Sequence, residues 1–463
     1  MENIFLYQLI DAVKGEFLLG DPHAVVPSVS IDTRTLHKDD FYFAIRGKSF
    51  DGHDFLKSAI DRHAKGVIIS TKDVNLGKPF PYMPAIISVK DTTLALGDFA
   101  SYYRKRFAIP VVGITGSNGK TTTKEMLATI LQQLGPVLKN QGNFNNTIGL
   151  PMTMFNMNSE HKFAVLEMGT SSFGEIKRLS EIALPTIGAI TNIGLAHLEN
   201  FKDKDGVFAE KKALAEQLAE DAWAVLNYDD PLLNKLITSG LKTNIMTFGL
   251  DPKANVYATN IKLWPGKPEF TLNLGGKTVS IRLPLHGQHN VLNALCASAI
   301  AWAMGIDLEV IKTGLEKFVP PKMRMDIRTL VSGITLINDA YNANPSSMKE
   351  AIKSFSESFP DRDKIVVLGD MLELGESSAQ EHAELGKFLN TQPLSKIFLL
   401  GEQMQNAMEP LKNAKALHFL KKEDLVLELK LTIPSGAVVF FKGSRAMKME
   451  QVIDNIFPNE ETA

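Results

Sequence analysis

The segment VVGITGSNGKTTTKEML, residues 111–127, constrains this chain more than any other. Val111 to Thr115 read as a buried strand, and Gly116 to Gly119 form a glycine-bearing turn. From Thr121, the apolar residues Met126, Leu127, Ile130, Leu131 and Leu134 recur at helical spacing until Gly135-Pro136 stops them. Strand, glycine turn and helix in succession is the context of a phosphate-binding loop. Gly116 and Gly119 would let backbone N–H groups approach a phosphate at a helix N-terminus, with Ser117, Asn118 and Thr122 alongside. Lys120 would neutralise β- and γ-phosphate oxygens, and the Thr121 hydroxyl would ligate Mg²⁺. The strict pattern G-x-x-x-x-G-K-[ST] is nevertheless broken, because Ile114 stands where its first glycine belongs. The plain alternative is a tight turn with no ligand.

The rest of the chain supplies a setting for that loop. A length of 463 residues predicts roughly three domains. Pro110 opens the strand at residue 111, and Pro320-Pro321 must interrupt any helix, so joints are expected at both places. The predicted domains are therefore 1–106, 107–319 and 320–463. Apolar strands alternate with helical patterns through IPVVGIT, FAVLEMG and TIGAITNIG, and again through GITLIND, KIVVLGD, KIFLLGE and GAVVFFKGS, which predicts α/β units with mostly parallel sheets. Gly275-Gly276 would turn an antiparallel hairpin within 269–285. A net charge of −2 without basic blocks gives no support for a nucleic-acid or membrane-surface role. No stretch approaches the length of a membrane span, and the early apolar run ends at Asp11, so neither a span nor a signal peptide is expected. A single cysteine, Cys296, fits a reducing, cytoplasmic compartment.

Two strand ends offer metal ligands. Glu167 closes FAVLE, where a Mg²⁺-holding acid would sit; the alternative is an acid capping a strand at the surface. His197 follows AITNIG on a polar loop. By itself it is a weak candidate, because Mg²⁺ prefers oxygen.

TGSNGKTTTKE, LEMG, TNIGLAHLE, HGQHNVLNALCA and INDAYNANPSSM, in this order, resemble the ATP-dependent Mur ligases of bacterial cell-wall synthesis. That family's loop is T-G-[ST]-x-G-K-[ST], in which Ile114 is no defect. The resemblance implies three domains: a small α/β N-terminal domain, a central P-loop-type sheet, and a Rossmann-like C-terminal domain. It implies Glu167 and His197, with Thr121, as Mg²⁺ ligands, and Lys120, His197, Lys211 and Arg324 as the catalytic set. Asn290 is implied at the adenine, although an N-cap asparagine is the bland alternative. Arg324 would reach the nucleotide from the last domain, and Asp339 the ribose, with Tyr341 and Asn342 nearby. In FAEKKALAEQL, Lys211 matches a lysine that takes up CO₂ to become a carbamate ligand of a second Mg²⁺. Ala213 replaces the family's acid there, and Lys212 leaves the register open. A carbamate requires a neutral amine, whereas an exposed lysine on an amphipathic helix would stay charged.

Substrate residues follow from the same resemblance. Thr33, Arg34, Gly47 and Asp51 lie in the module for the uridine nucleotide. Asn146, Thr147, Thr170 and Ser171 would face the muramoyl-peptide, and Ser444 and Arg445 an incoming terminal carboxylate. NDAYNANPSSM, GDMLELG and KGSR resemble the branch that joins D-alanyl-D-alanine to UDP-N-acetylmuramoyl-tripeptide, and the Asp-Asn-Pro-Arg signature of third-residue ligases is absent. The implied reaction passes through an acyl phosphate and a tetrahedral intermediate, in a monomer whose domains open and close. A sister ligase adding one amino acid, or an ATP-hydrolysing switch, are the alternatives.

Overall fold

A computed structural model describes residues 1–47, 49–71, 82–263, 267–359, 361–412 and 415–458. Lys48, in the RGKSFDGHDF stretch, lies outside the described residues. Three larger sheets carry the chain. The first has five strands in the order Glu16–Leu19, Ala85–Ser88, Gly66–Ile69, Phe41–Phe43, Val29–Ser30, parallel except for its first pair. Its helix Thr92–Arg104 starts at Asp91, whose carboxylate accepts from Leu94 N–H, and buries Leu96, Phe99 and Tyr103.

The central sheet has nine strands. From one edge they run Val137–Lys139, Phe163–Glu167, Val111–Thr115, Ile187–Ile190, Trp223–Asn227, Asn244–Gly249 and Val256–Leu263, all in parallel pairs. Pro268–Leu274 and Lys277–Arg282 then continue the sheet antiparallel. The expected hairpin turns at Gly275 and Gly276, both at positive φ (57° and 76°), a conformation glycine adopts without a Cβ clash. Val111–Thr115 is buried along its whole length, which is why it reads as an unbroken apolar run. The helix after the glycine turn is Lys120–Gln132, beginning one residue before the predicted Thr121. It packs with the helix His289–Ala303 in one apolar cluster through Leu127, Ile130, Leu131, Val291 and Leu295.

The third sheet has six strands ordered Asp326–Thr329, Thr335–Asn338, Val438–Lys442, Lys364–Gly369, Lys396–Leu400 and Ala416–Phe419, parallel apart from its first pair. Among the described residues no helix is long and apolar enough to cross a membrane.

Parallel sheets gather function at the carboxyl ends of their strands. In the central sheet, Val111–Thr115 lies between Phe163–Glu167 and Ile187–Ile190. The loops beginning at Gly116, Met168 and Thr191 therefore emerge side by side. In the C-terminal sheet the same logic places Asp339 and Lys442 at neighbouring strand ends.

Candidate active site

These two sets of strand ends face each other across a cleft of about 510 Å³, a volume suited to a small-molecule ligand. Its walls include Ser117 to Thr122, Asn145 to Thr147, Glu167, Thr170, Ser171, His197, Asn290 and Asn293 from the central sheet's side. Arg324, Asp339, Tyr341, Asn342, Asn344, Glu350, Lys442 and Arg445 line it from the other.

The loop's shape depends on its two glycines. Gly116 and Gly119 have φ of 145° and 81°. A Cβ at the first would run into the Thr191 hydroxyl, and at the second into Asn293 Oδ1. Not every loop N–H is aimed inward, contrary to the sequence expectation. Ser117 N–H donates to Asn192 O and Asn118 N–H to Asn192 Oδ1, both at 3.0 Å. The N–H groups left to the cleft are those opening the helix from Gly119 to Thr122, which have no intrahelical partner. Lys120 Nζ donates to Gly116 O at 2.7 Å. Burial pulls the Lys120 pKa down and Arg324 adds to this, while the Glu167 charge opposes it.

Glu167 is buried, so it is not a surface strand cap. Thr121 Oγ1 donates to its Oε2 at 2.7 Å and Asn145 Nδ2 to its Oε1 at 2.9 Å. Burial alone would raise this carboxyl, but Lys120, Lys124 and Arg324, together with the Thr121 hydrogen bond, outweigh it and hold the pKa below its ordinary value. Lys124, 1% exposed, donates to Asn140 O at 2.7 Å and lies 3.9 Å from Glu167 Oε2. Asn140 in turn bonds the Glu167 backbone on both sides, through its N–H at 2.9 Å and its carbonyl at 2.8 Å.

Lys211 ends the helix Lys204–Lys211 and is 2% exposed, so the exposed-lysine alternative falls to its neighbour Lys212, which pairs with Glu216 at 2.7 Å. Burial first, and then the charge of Lys120, push the Lys211 pKa well below its ordinary value, against Glu210. Lys211 stands behind the cleft rather than on its wall. Its neighbour Glu210 accepts from Gly174 and Ile176 N–H, both at 2.7 Å, and from the Thr170 hydroxyl at 3.1 Å, fixing the Thr170–Ser171 turn.

The C-terminal residues reach across. Arg324 Nη2 donates to Thr121 Oγ1 at 2.9 Å, and its guanidinium sits 4.2 Å from the Tyr341 ring centroid. Its neighbours Met323 and Met325 both have left-handed φ (61° and 50°), a costly backbone for non-glycine residues that persists where packing enforces it. Asn344 Nδ2 donates to Asn118 Oδ1 at 2.8 Å. Asp339 accepts from Lys442 Nζ at 2.5 Å and from Met325 N–H at 3.1 Å.

Other sequence expectations fare unevenly. Asn290 lines the cleft, but it lies inside the helix beginning at His289, whose N-cap is Gln288, so the N-cap alternative fails. Its amide is oriented by His286 O at 2.7 Å and by Asn293 Nδ2 at 2.9 Å. Ser444 is buried off the cleft wall: its hydroxyl accepts from Leu372 N–H at 2.8 Å, while Arg445 does reach the cleft and pairs with Glu450 at 2.9 Å. Thr33, Arg34, Gly47 and Asp51 are not part of this cleft. They gather at the carboxyl ends of Val29–Ser30 and Phe41–Phe43, where the charges of Asp32 and Asp51 and above all burial push Tyr42 up to about 12. Arg34 is held by Asp32 at 2.6 Å, Gly47 N–H bonds Phe50 O at 2.9 Å, and Asp51 caps the turn Gly52–Phe55. Sequence reasoning missed Asn145, Lys124, Asn293 and Asn344.

Comparison with known proteins agrees with this layout. Three family models match: Mur ligase family, catalytic domain, over 25–104; Mur ligase middle domain, over 114–301; and Mur ligase, glutamate ligase domain, over 323–445. The chain is 34% identical over 455 residues to the UDP-N-acetylmuramoyl-tripeptide–D-alanyl-D-alanine ligase of Bacillus subtilis, covering 97% of each chain. To the enzyme of the same name from Escherichia coli it is 34% identical over 460 residues, covering 98% of each. Among solved structures, MurF from Acinetobacter baumannii superposes with a TM-score of 0.91 at 33% identity, covering 99% of this chain and 100% of that one. MurF ligase from Thermotoga maritima in complex with ADP matches with a TM-score of 0.83 at 28% identity, covering 93% and 96%. Phosphate loop, buried acid and two-sided cleft thus occur in a chain matched along nearly its whole length, and the chain belongs to the Mur ligase family.

Proposed function

We propose that this chain joins D-alanyl-D-alanine to the tripeptide carboxylate of UDP-N-acetylmuramoyl-tripeptide, cleaving ATP to ADP and phosphate. The observation that carries this reading is a phosphate loop and a buried acid facing an arginine from another sheet, in a chain similar over nearly its full length to ligases of that name. Residues 1–106 would hold the uridine nucleotide through Thr33, Arg34, Gly47 and Asp51, 107–319 the ATP, and 320–463 the dipeptide. The enzyme acts in the cytoplasm as a monomer, at the last soluble step of pentapeptide-precursor synthesis.

A carboxylate does not condense with an amine in water, so it must first be activated. The tripeptide carboxylate oxygen attacks the γ-phosphorus of ATP, the bond to ADP breaks, and an acyl phosphate forms. The dipeptide's neutral amine attacks the acyl carbon to give a tetrahedral intermediate; phosphate then leaves with the C–O bond electrons and the nitrogen loses its proton. The residues mainly position groups and stabilise spread negative charge. Gly119 to Thr122 present their N–H groups to the phosphates, on a loop shaped by Gly116 to Asn118, with Lys120 and Arg324 supplying positive charge. Asn290, Asp339, Tyr341 and Asn342 hold the nucleoside. Asn146, Thr147, Thr170 and Ser171 face the muramoyl-peptide, and Arg445, without the Ser444 hydroxyl, pairs with the dipeptide carboxylate.

Mg²⁺ takes oxygen donors and keeps several waters beside nucleotide phosphates. The Thr121 hydroxyl and Glu167 carboxylate, buried and 2.7 Å apart, fit it, and His197 lines the same cleft. Among the described residues no three or more His, Cys, Asp or Glu side chains converge as a metal cage. The ion supplies charge neutralisation at the γ-phosphate. Lys211 is buried, and that burial lowers its pKa and so favours the neutral amine that carbamate formation with CO₂ requires; as a carbamate it would serve a second Mg²⁺.

The test is phosphate release from Mg²⁺-ATP with the muramoyl-tripeptide, with D-alanyl-D-alanine, and with both. Release only with both, matched by a larger nucleotide-peptide, is expected. Release with single amino acids instead points to a sister ligase, and release that ignores both substrates points to a switch protein.

A further inference from the structure

We propose that Glu373, on the C-terminal side of the cleft, is a positioning residue for His197, so that docking of the two sides completes the metal site. The inference rests on the metal-ligand reading of His197 given above. Glu373 lies on the turn following the strand Lys364–Gly369, and His197 just before the short helix Leu198–Phe201 of the central domain. His197 Nδ1 sits 2.6 Å from Glu373 Oε2. The contact is a close approach that lacks hydrogen-bond alignment, and this Nδ1 has no hydrogen-bond partner among the described residues.

Three further observations show that the approach is built in. Both residues are held in the left-handed region, His197 at φ 52° and Glu373 at φ 64°. Such backbone is costly for non-glycine residues and persists only where its surroundings enforce it. Second, the backbones are joined, because Glu199 N–H donates to Glu373 O at 3.2 Å. Third, the fit leaves no slack: a Cβ at Gly375 would stand 2.9 Å from Glu199 Cα, and Leu198 belongs to the apolar cluster of Met371 and Leu374.

An imidazole ligates a metal through one nitrogen while the other, held by a carboxylate, fixes the tautomer and the ring direction. Glu373 at Nδ1 leaves Nε2 as the ligating atom. Because the carboxylate and the imidazole come from opposite sides of the cleft, the ligand is oriented only while the sides are together.

The experiment uses the full chain with a non-hydrolysable ATP analogue and Mn²⁺ as probe, its affinity read by electron paramagnetic resonance. His197→Ala sets the reference. Glu373→Ala should weaken Mn²⁺ binding roughly 10- to 100-fold. Glu373→Gln, which keeps an oxygen able to approach Nδ1–H, should lose less. The double variant should bind no more weakly than His197→Ala alone. If His197→Ala weakens Mn²⁺ and Glu373→Ala does not, the positioning role is wrong while the metal reading stands. Additive losses in the double variant would equally overturn it, since Glu373 would not be acting through His197. Unchanged affinity in His197→Ala would remove the metal reading itself. The Glu373 side chain is 59% exposed, so its variants are expected to fold, and unchanged circular dichroism checks this.

Discussion

Glu167→Gln removes a buried negative charge that faces three cations, Lys120, Lys124 and Arg324. The Lys124 ammonium is 3.9 Å from the carboxylate, a separation at which a unit pair is worth about 4 kcal/mol at an effective dielectric near 20. Much of that is offset by the cost of burying both charges, and stranding one partner of such a pair costs about 3–5 kcal/mol when nothing else holds it. Lys124 keeps Glu125 Oε1 at 3.2 Å, and the Thr121 hydroxyl can turn to accept from the new amide. The net loss expected is therefore about 1–2 kcal/mol, a fall in Tm of a few degrees. Thermal unfolding at neutral pH without nucleotide or metal measures it. The sign with pH follows from the lowered folded pKa. The carboxylate's contribution is fully present above its ordinary value of 4.5 and is lost as pH falls through the depressed folded value, so wild type and variant converge only in acid. Metal-free ATP should bind the variant more tightly, since a charge beside the phosphates is gone, while Mg²⁺ dependence should weaken. An unchanged neutral-pH Tm together with unchanged metal-free ATP affinity would refute the electrostatic account of this site.

Gly119→Ala places a side chain at φ 81°, costing about 1–2 kcal/mol, and drives its Cβ into Asn293; ATP affinity measured by calorimetry should fall at least tenfold. Lys211→Ala should lower turnover at least roughly tenfold and abolish any response to bicarbonate, and undiminished turnover at low and high bicarbonate would remove the carbamate. Cys296 is fully buried, with its thiol pKa pushed up by that burial, so alkylation by iodoacetamide should be slow in the native protein and fast in denaturant.

What the sequence made legible was local. Strand, turn and helix around Gly116 and Gly119 are contiguous, and Glu167 stands where an apolar run stops. Asn293, three residues after Asn290, shares its helix face and was within reach of the same reasoning. Register was harder. Lys211 and Lys212 differ by one residue, and only packing puts the first at 2% exposure and leaves the second paired at the surface. In GNFNNTIGLP the amides are adjacent, and the loop's path selects Asn145 for Glu167. Lys124 carries no local sign of its burial, which comes from packing that leaves it 1% exposed and bonded to Asn140 O. Ser444 beside Arg445 looked like a pair of ligands, but its buried hydroxyl accepts from Leu372 N–H and donates to Ala343 O. The Asn118–Asn344 bond joins residues 226 apart and leaves no local trace.

Leu198 bears on how fast the enzyme can exchange nucleotide. This central-domain leucine is 6% exposed within the C-terminal domain's apolar cluster, so parting the two sides exposes it along with the hollow it fills. Burying a leucine is worth about 1.5–3 kcal/mol. Re-exposing it on opening would disfavour an open arrangement by roughly ten- to a hundredfold from that term alone. ADP would then escape only in brief openings, and Leu198→Ala should speed its release. A C-terminal fragment cut away from residue 198 would carry an apolar hole on its surface and be prone to self-association.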